Sequence, residues 1–293
     1  MTGPRFAFLD HPGPIAFAHR GGALEAMENT WTSFTHARHL GYRYMETDVN
    51  ASADGVVVAI HDPYLDRVSD RTGLVREMTW RQHSEVRLTP TGGPTDADSG
   101  HTSPAGHTSP AGEPIPAGEP SPAGEPIPRL DELLAAWPDL RWNIDAKHET
   151  AIDPLIETLQ KSGAIDRVCV TSFSDRRLTR IRRALGPRLC TAMGPAAVGA
   201  LRLASVLPAA ASAPAAGPLG RFGAAQVPIR QGWTVLVDRR FVETAHRAGL
   251  HVHVWTIDDE TTMAGLLDLG VDGIMTDRPT VLKALLERRQ AWN

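Results

Sequence analysis

Ile15-Ala16-Phe17-Ala18-His19-Arg20-Gly21-Gly22, then Glu28-Asn29-Thr30-Trp31, then Tyr44-Met45-Glu46-Thr47-Asp48-Val49 is the stretch from which the fold can be read. An apolar run closed by a polar, glycine-rich step predicts a buried strand opening into a loop. Asn29 or Thr30 is a helix N-cap, with Trp31, Phe34, Ala37 and Leu40 at helical spacing behind it and Gly41 as the stop. Residues 44–49 predict a second strand. Strand, helix and strand in that order form a right-handed parallel crossover unit.

Next comes a hairpin pattern, with Asp54-Gly55 as its two-residue turn and Val56 to Ile60 as its return arm. With that loop Ala53 pairs with Val56, and counting back along both strands places His61 opposite Asp48.

Working outward, strands are predicted at 141–147, 168–172, 189–193, 224–227, 251–255 and 273–276. Helices over 131–136, 151–162, 174–185, 196–206, 238–248, 260–268 and 279–289 separate or follow them. With the two opening strands this makes eight strand-then-helix units, the pattern of an α/β fold of the (β/α)8 TIM barrel type, one domain over residues 1–293. An open doubly wound sheet is the alternative, but no Gly-x-Gly-x-x-Gly follows the first strand. Residues 64–130 read as an excursion from the scaffold. Within it, residues 101–130 are a Pro-rich hexapeptide repeat (HTSPAG twice, then EPIPAG, EPSPAG and EPIPRL) that predicts an extended surface loop. The Ala/Pro-rich piece over 208–218 reads as a loop.

The chain has 293 residues, 42% of them apolar, enough for a large core. A formal net charge of -4 and a pI near 6.3 leave no electrostatic footprint for nucleic acid. Residues 1–14 lack a basic region followed by an apolar run, and no uncharged apolar segment is long enough to span a bilayer. These features predict a cytoplasmic protein with no stable membrane insertion. Cys169 and Cys190 lie in apolar strand-like runs and read as reduced core thiols.

In a barrel, catalytic groups gather at the C-terminal ends of the strands. His19 ends the first strand, Glu46 and Asp48 the second, Asp145 and Lys147 the third, and Trp255 the seventh. Residues two apart on a strand share a face, so Glu46 and Asp48 project together, as do Asp145 and Lys147. Taken singly, each acid reads as a solvated strand end paired with Arg20 or Lys147. Together, three converging carboxylates repel one another unless protonated or bridged, and one divalent cation with oxygen ligands, Mg²⁺ or Ca²⁺, resolves this. His19 and His61 on its flanks can divide general acid and general base work at a phosphorus atom. Arg20 and Lys147 supply fixed positive charge for phosphate oxygens. His251 and His253 lack such a setting and read as structural.

The constellation resembles the glycerophosphodiester phosphodiesterase family. The resemblance rests on His19-Arg20-Gly21-Gly22, Glu28-Asn29-Thr30, Glu46-Thr47-Asp48-Val49, Asp54-Gly55, His61-Asp62, Ile127-Pro128-Arg129-Leu130, Asn143-Ile144-Asp145-Ala146-Lys147, Val254-Trp255-Thr256 and the run Gly270 to Pro279. It implies a TIM barrel with residues 64–130 as a small insertion at the barrel mouth, a divalent cation, and hydrolysis of a small-molecule phosphodiester to glycerol 3-phosphate and an alcohol. Carried over position by position, it makes His19 and His61 the acid/base pair and Glu46, Asp48 and Asp145 the metal ligands. Arg20 and Lys147 become phosphate-binding residues, and Trp255 packs on the glycerol moiety. The family's third ligand is usually glutamate, and here it is the shorter Asp145; Asp258 stands where asparagine is usual. Two other functions fit the same residues. A lysophospholipase D-type hydrolase would need an apolar lip at the mouth, for which Tyr64, Leu65, Leu74 and Trp80 are candidates. A non-catalytic phosphodiester-binding barrel would lack one of the histidines.

Overall fold

The computed structural model describes residues 5–89, 124–207 and 221–292. Strand β1 (Ile15–Ala18) is followed by helix α1 (Trp31–His39), β2 (Tyr44–Ala51) and the antiparallel return arm β3 (Val57–Ala59). A short helix α2 (Trp80–His83) and the paired strands β4 (Arg87–Leu88) and β5 (Glu125–Pro126) build the insertion. Then come α3 (Leu130–Ala136), β6 (Arg141–Ala146), α4 (Ile152–Ser162), β7 (Val168–Thr171), α5 (Asp175–Leu185), β8 (Cys190–Thr191) and α6 (Pro195–Val206). The chain closes with β9 (Ala224–Val227), a small hairpin of β10 (Arg230–Gln231) and β11 (Thr234–Val235), α7 (Arg239–Arg247), β12 (His251–Val254), α8 (Glu260–Leu269), β13 (Gly273–Thr276) and α9 (Pro279–Arg288).

Eight parallel strands follow one another around the ring as β1, β2, β6, β7, β8, β9, β12 and β13, with β13 paired back onto β1. A single bridge, Ala192 to Ala224, joins β8 to β9 and completes the (β/α)8 barrel expected from the strand alternation. Local chemistry puts the helices where the spacing predicts them. Thr30 caps α1 in a capping box with Ser33, Ser174 caps α5, Asp238 caps α7 and Asp259 caps α8, each side chain accepting an orphan backbone N–H. Gly163 and Gly270 end α4 and α8 in left-handed conformations that a Cβ would strain.

The main core lies between strands and helices. Phe34 of α1 meets Trp142 of β6 edge-on at 5.0 Å, both fully buried, and burial of a side chain the size of Phe34 contributes about 1.5–3 kcal/mol. At the N-terminal end of the strands, Phe8 packs on Phe17 and Tyr44 beneath the barrel. Cys169 and Cys190 are register partners there, buried and free, as their apolar context predicts. Among the described residues no helix is long and apolar enough to cross a membrane.

One register differs from the expectation. Val49 pairs with Ala59 and Ala51 with Val57, so Asp48 lies opposite Ile60, whose N–H it receives at 3.0 Å, and not opposite His61. The loop holds three residues, because the Ser52 hydroxyl takes the Val56 N–H at 2.8 Å and Gly55 turns in the left-handed region at φ 81°. A left-handed glycine closing a three-residue hairpin loop is the next most common solution after the two-residue turn. The insertion carries its own apolar cluster of Val58, Ile60, Leu65, Val68, Val75 and Val86. Repeat residues 101–123 and the loop at 208–218 lie outside the described residues.

Candidate active site

The chain leaves β1 through a tight turn in which Arg20, Gly21 and Gly22 have φ of 52°, 85° and 102°. Only glycine fits at Gly21, where a Cβ would stand 2.3 Å from the Ser33 hydroxyl that helps cap α1. The turn brings the Arg20 backbone N–H to Glu46 Oε2 at 3.0 Å and sets His19 Nε2 3.7 Å from the same oxygen. On its other side His19 Nδ1 meets Asp277 Oδ1 at 2.7 Å.

Asp277 lies in the run Gly270 to Pro279 but receives no role from the sequence, although it follows β13, the strand that barrel closure places beside β1. Its own N–H is fixed by Asp258 Oδ1 at 2.8 Å. Burial opposes a charge on His19, yet Asp277 and Glu46 raise its pKa from 6.5 to about 9. A folded value above the unfolded one means that the imidazolium contributes stability fully present below pH 6.5 and lost as pH rises through about 9. Asp277→Asn is therefore expected to flatten the fall in stability between those pH values, measured as denaturant midpoint against pH. An unchanged profile would show that Asp277 does not hold the proton on His19.

Glu46 and Asp48 share a strand face, as predicted, and their environments drive them apart. Burial and the neighbouring Asp48 push Glu46 up to about 7. Burial also opposes charge on Asp48, but Lys147 and Arg20 hold it well below the usual carboxylate range. Asp48 and Asp145 are direct register partners on β2 and β6. The Lys147 ammonium lies between them, 2.9 Å from Asp48 Oδ1 and 2.7 Å from Asp145 Oδ2. Arg20 Nε stands 2.9 Å from Asp48 Oδ2 as an ion pair off the N–H axis. Asn29, left-handed at φ 55°, adds its amide to Asp48 Oδ2 at 3.3 Å and is itself held by the Thr47 hydroxyl. Among the described residues no group of three or more acids, histidines or cysteines stands at metal-holding spacing. Asp145 Oδ1 is nevertheless buried with no hydrogen-bond partner, an acceptor that invites a cation.

His61 reaches the same mouth despite the shifted register, because the chain turns out of the hairpin directly after Ile60. Its Nδ1 meets Asp62 Oδ1 at 2.6 Å, and Asp62 in turn receives Arg67 Nε at 2.6 Å. Each histidine is thus oriented by its own carboxylate, an arrangement that fixes tautomer and ring direction. Trp255 directly follows β12 and stands edge-on to Phe173 at 5.9 Å. Phe173, 66% exposed and missed in the sequence, also faces the Lys147 ammonium at 5.9 Å from its ring centre. Of the proposed apolar lip, Tyr64 is 53% exposed, whereas Leu65 is fully buried in the insertion's cluster. His253 lies buried in the barrel interior beside Gln226, itself bonded to Asn143, and burial pushes its pKa well down. That setting suits a neutral structural residue.

A family model described as "Glycerophosphoryl diester phosphodiesterase family" matches residues 19–281. A Mycobacterium tuberculosis protein named "Probable glycerophosphodiester phosphodiesterase 2" is 35% identical over 291 residues, covering 99% of this chain and 97% of that one. The "Glycerophosphodiester phosphodiesterase" of Caldanaerobacter subterraneus is 27% identical over 286 residues, covering 94% and 98%. Among solved structures, an Oleispira antarctica phosphodiesterase in complex with the product sn-glycerol-3-phosphate superposes with a TM-score of 0.69 at 23% identity, over 94% of this chain and 97% of that one. A Silicibacter pomeroyi "Putative glycerophosphoryl diester phosphodiesterase" gives 0.72 at 21% identity, over 98% and 100%. At such identities the two structures speak for the fold.

Proposed function

This chain belongs to the glycerophosphoryl diester phosphodiesterase family, and from that premise we propose that it is a cytoplasmic, metal-dependent enzyme hydrolysing glycerophosphodiesters to glycerol 3-phosphate and an alcohol. The observation that carries the mechanistic reading is the pair of histidines at one barrel mouth, each oriented through Nδ1 by a carboxylate, beside three buried acids and two cations. One imidazole takes a proton from the attacking oxygen and the other gives one to the departing alcohol, both through Nε2.

The donor set fits a divalent cation, Mg²⁺ or Ca²⁺. Glu46, Asp48 and Asp145 are hard oxygen donors, Asp145 Oδ1 lacks a partner, and Glu46 is a carboxyl whose ionisation a cation would favour. When bound there it supplies positive charge against the phosphoryl oxygens. Arg20 and Lys147 add charge that the protein itself carries, Arg20 as a fork and Lys147 as a point. Substrate phosphate competes with Asp48 for both of them. Trp255 and Phe173 offer an apolar wall beside Lys147 for the glycerol carbons or the alcohol.

The test is incubation with glycerophosphocholine and a divalent cation, with the phosphorylated product identified by enzymatic assay for glycerol 3-phosphate. Its release supports the reading. Release of phosphocholine would place the cleavage on the wrong side of phosphorus, and no release from any glycerophosphodiester would reject the activity.

A further inference from the structure

Between the two histidines runs a connection that the proposed chemistry does not use directly. His19 and Arg20 belong to the loop after β1, which also carries Glu28; the Asn29 N–H closes that loop on the Arg20 carbonyl at 2.9 Å. His61 and Asp62 lie between β3 and the insertion, which carries Arg67. Arg67 bridges the two. Its Nε donates to Asp62 Oδ2 at 2.6 Å, while Nη1 and Nη2 donate to Glu28 Oε2 and Oε1 at 3.0 and 2.7 Å. Asp62 spends its other oxygen on His61 Nδ1 at 2.6 Å, and Glu28 Oε2 stands 3.5 Å from Arg20 Nη1. A planar guanidinium holding one carboxylate in a fork and a second through Nε fixes both distance and angle, which an ammonium cannot do. The arginine is itself anchored, because Leu65 and Val68 on either side of it are buried in the insertion's apolar cluster.

We infer that Arg67 is a positioning residue for the reaction, setting His61, through Asp62, at a fixed span from the turn that carries His19 and Arg20. The insertion is then part of the catalytic apparatus through this clasp. This rests on the two-histidine reading above. Small misplacement of a catalytic group costs rate at little expense in binding, so the loss falls on kcat.

The experiment is a double-mutant cycle on glycerophosphodiester hydrolysis. Arg67→Met is expected to lower kcat on the order of 10- to 100-fold, the usual cost of removing a group that orients a site ligand, with KM nearly unchanged. In a His61→Ala background the same substitution should change kcat by no more than about twofold, since the residue it acts through is gone. Arg67→Lys, which keeps the charge and loses the fork, should recover only part of the rate. An Arg67→Met loss as large in the His61→Ala background as in the native protein would overturn the inference, as would native kcat in Arg67→Met. Native kcat in His61→Ala alone would reject the two-histidine mechanism instead. If Arg67→Met shows no cooperative thermal transition, Arg67→Lys and Glu28→Gln carry the same cycle.

Discussion

His19→Ala and His61→Ala should each lower kcat for glycerophosphodiester hydrolysis on the order of 10²- to 10⁴-fold, the range that a positioned acid or base contributes. Neither ring is needed to hold the barrel together. Both stand past strand ends, at the mouth, and the main core is built from other residues. The two variants differ in what they leave behind. Removing His19 leaves Asp277, a buried carboxylate, with the Arg20 charge and the Ala23 backbone N–H but without the imidazole that does most to keep its pKa low against burial. His19→Asn is therefore the better control, because its amide can still donate to Asp277 while transferring no proton. His61→Ala leaves Asp62 with Arg67 and should be the milder change for folding. Because the two rings serve one step, the double variant should fall little further than the worse single one. Fully additive losses would mean that the histidines act in separate events, and native kcat in either folded variant would end the two-histidine mechanism.

Much of this mouth was legible because strand period and strand ends are written locally. Glu46 with Asp48, and Asp145 with Lys147, follow from the two-residue alternation alone, and the barrel places them side by side. Asp277 shows where that reading stops. It lies 258 residues from His19, and only closure of β13 onto β1 makes them neighbours. Arg67 is harder still, since it sits in a polar segment without periodicity and acts through two carboxylates on different loops. The hairpin illustrates a third kind of miss. Asp-Gly signalled the turn correctly, but Ser52 lengthened the loop by one residue, and a one-residue slip alters every cross-strand pair. His61 reaches the mouth by leaving the strand after Ile60, so its place there does not follow from the register that the hairpin signal predicts. Asn29 has a signal that could have been used, as an asparagine ahead of an N-cap is among the few side chains that tolerate a left-handed backbone.

Chelation should have the second large effect: dialysis against EDTA is expected to lower kcat/KM by at least 10²-fold, on the scale of losing one strong electrostatic group at a transition state, with Mg²⁺ or Ca²⁺ restoring it. The variant that isolates the site is Glu46→Gln. Asp48 is a poor choice, because it is buried among Lys147, Arg20 and Asn29, and removing one partner from such a cluster costs about 3 to 5 kcal/mol in folding alone. Glu46 is different. Burial and Asp48 already hold its carboxyl up at about 7, so a neutral amide of the same shape at neutral pH asks little of the fold. The Gln variant should keep its thermal transition without cation, lose most of its activity, and need a higher cation concentration for what remains. Binding itself gives a readout independent of turnover. A cation at a hundredfold excess over its Kd stabilises the folded state by about 2.7 kcal/mol, so the native protein should melt higher with cation than with EDTA, and Glu46→Gln should show a smaller difference at the same concentration. Native activity in EDTA would remove the cation from the mechanism and leave Lys147, already between Asp48 and Asp145, as the charge that lets the carboxylates coexist.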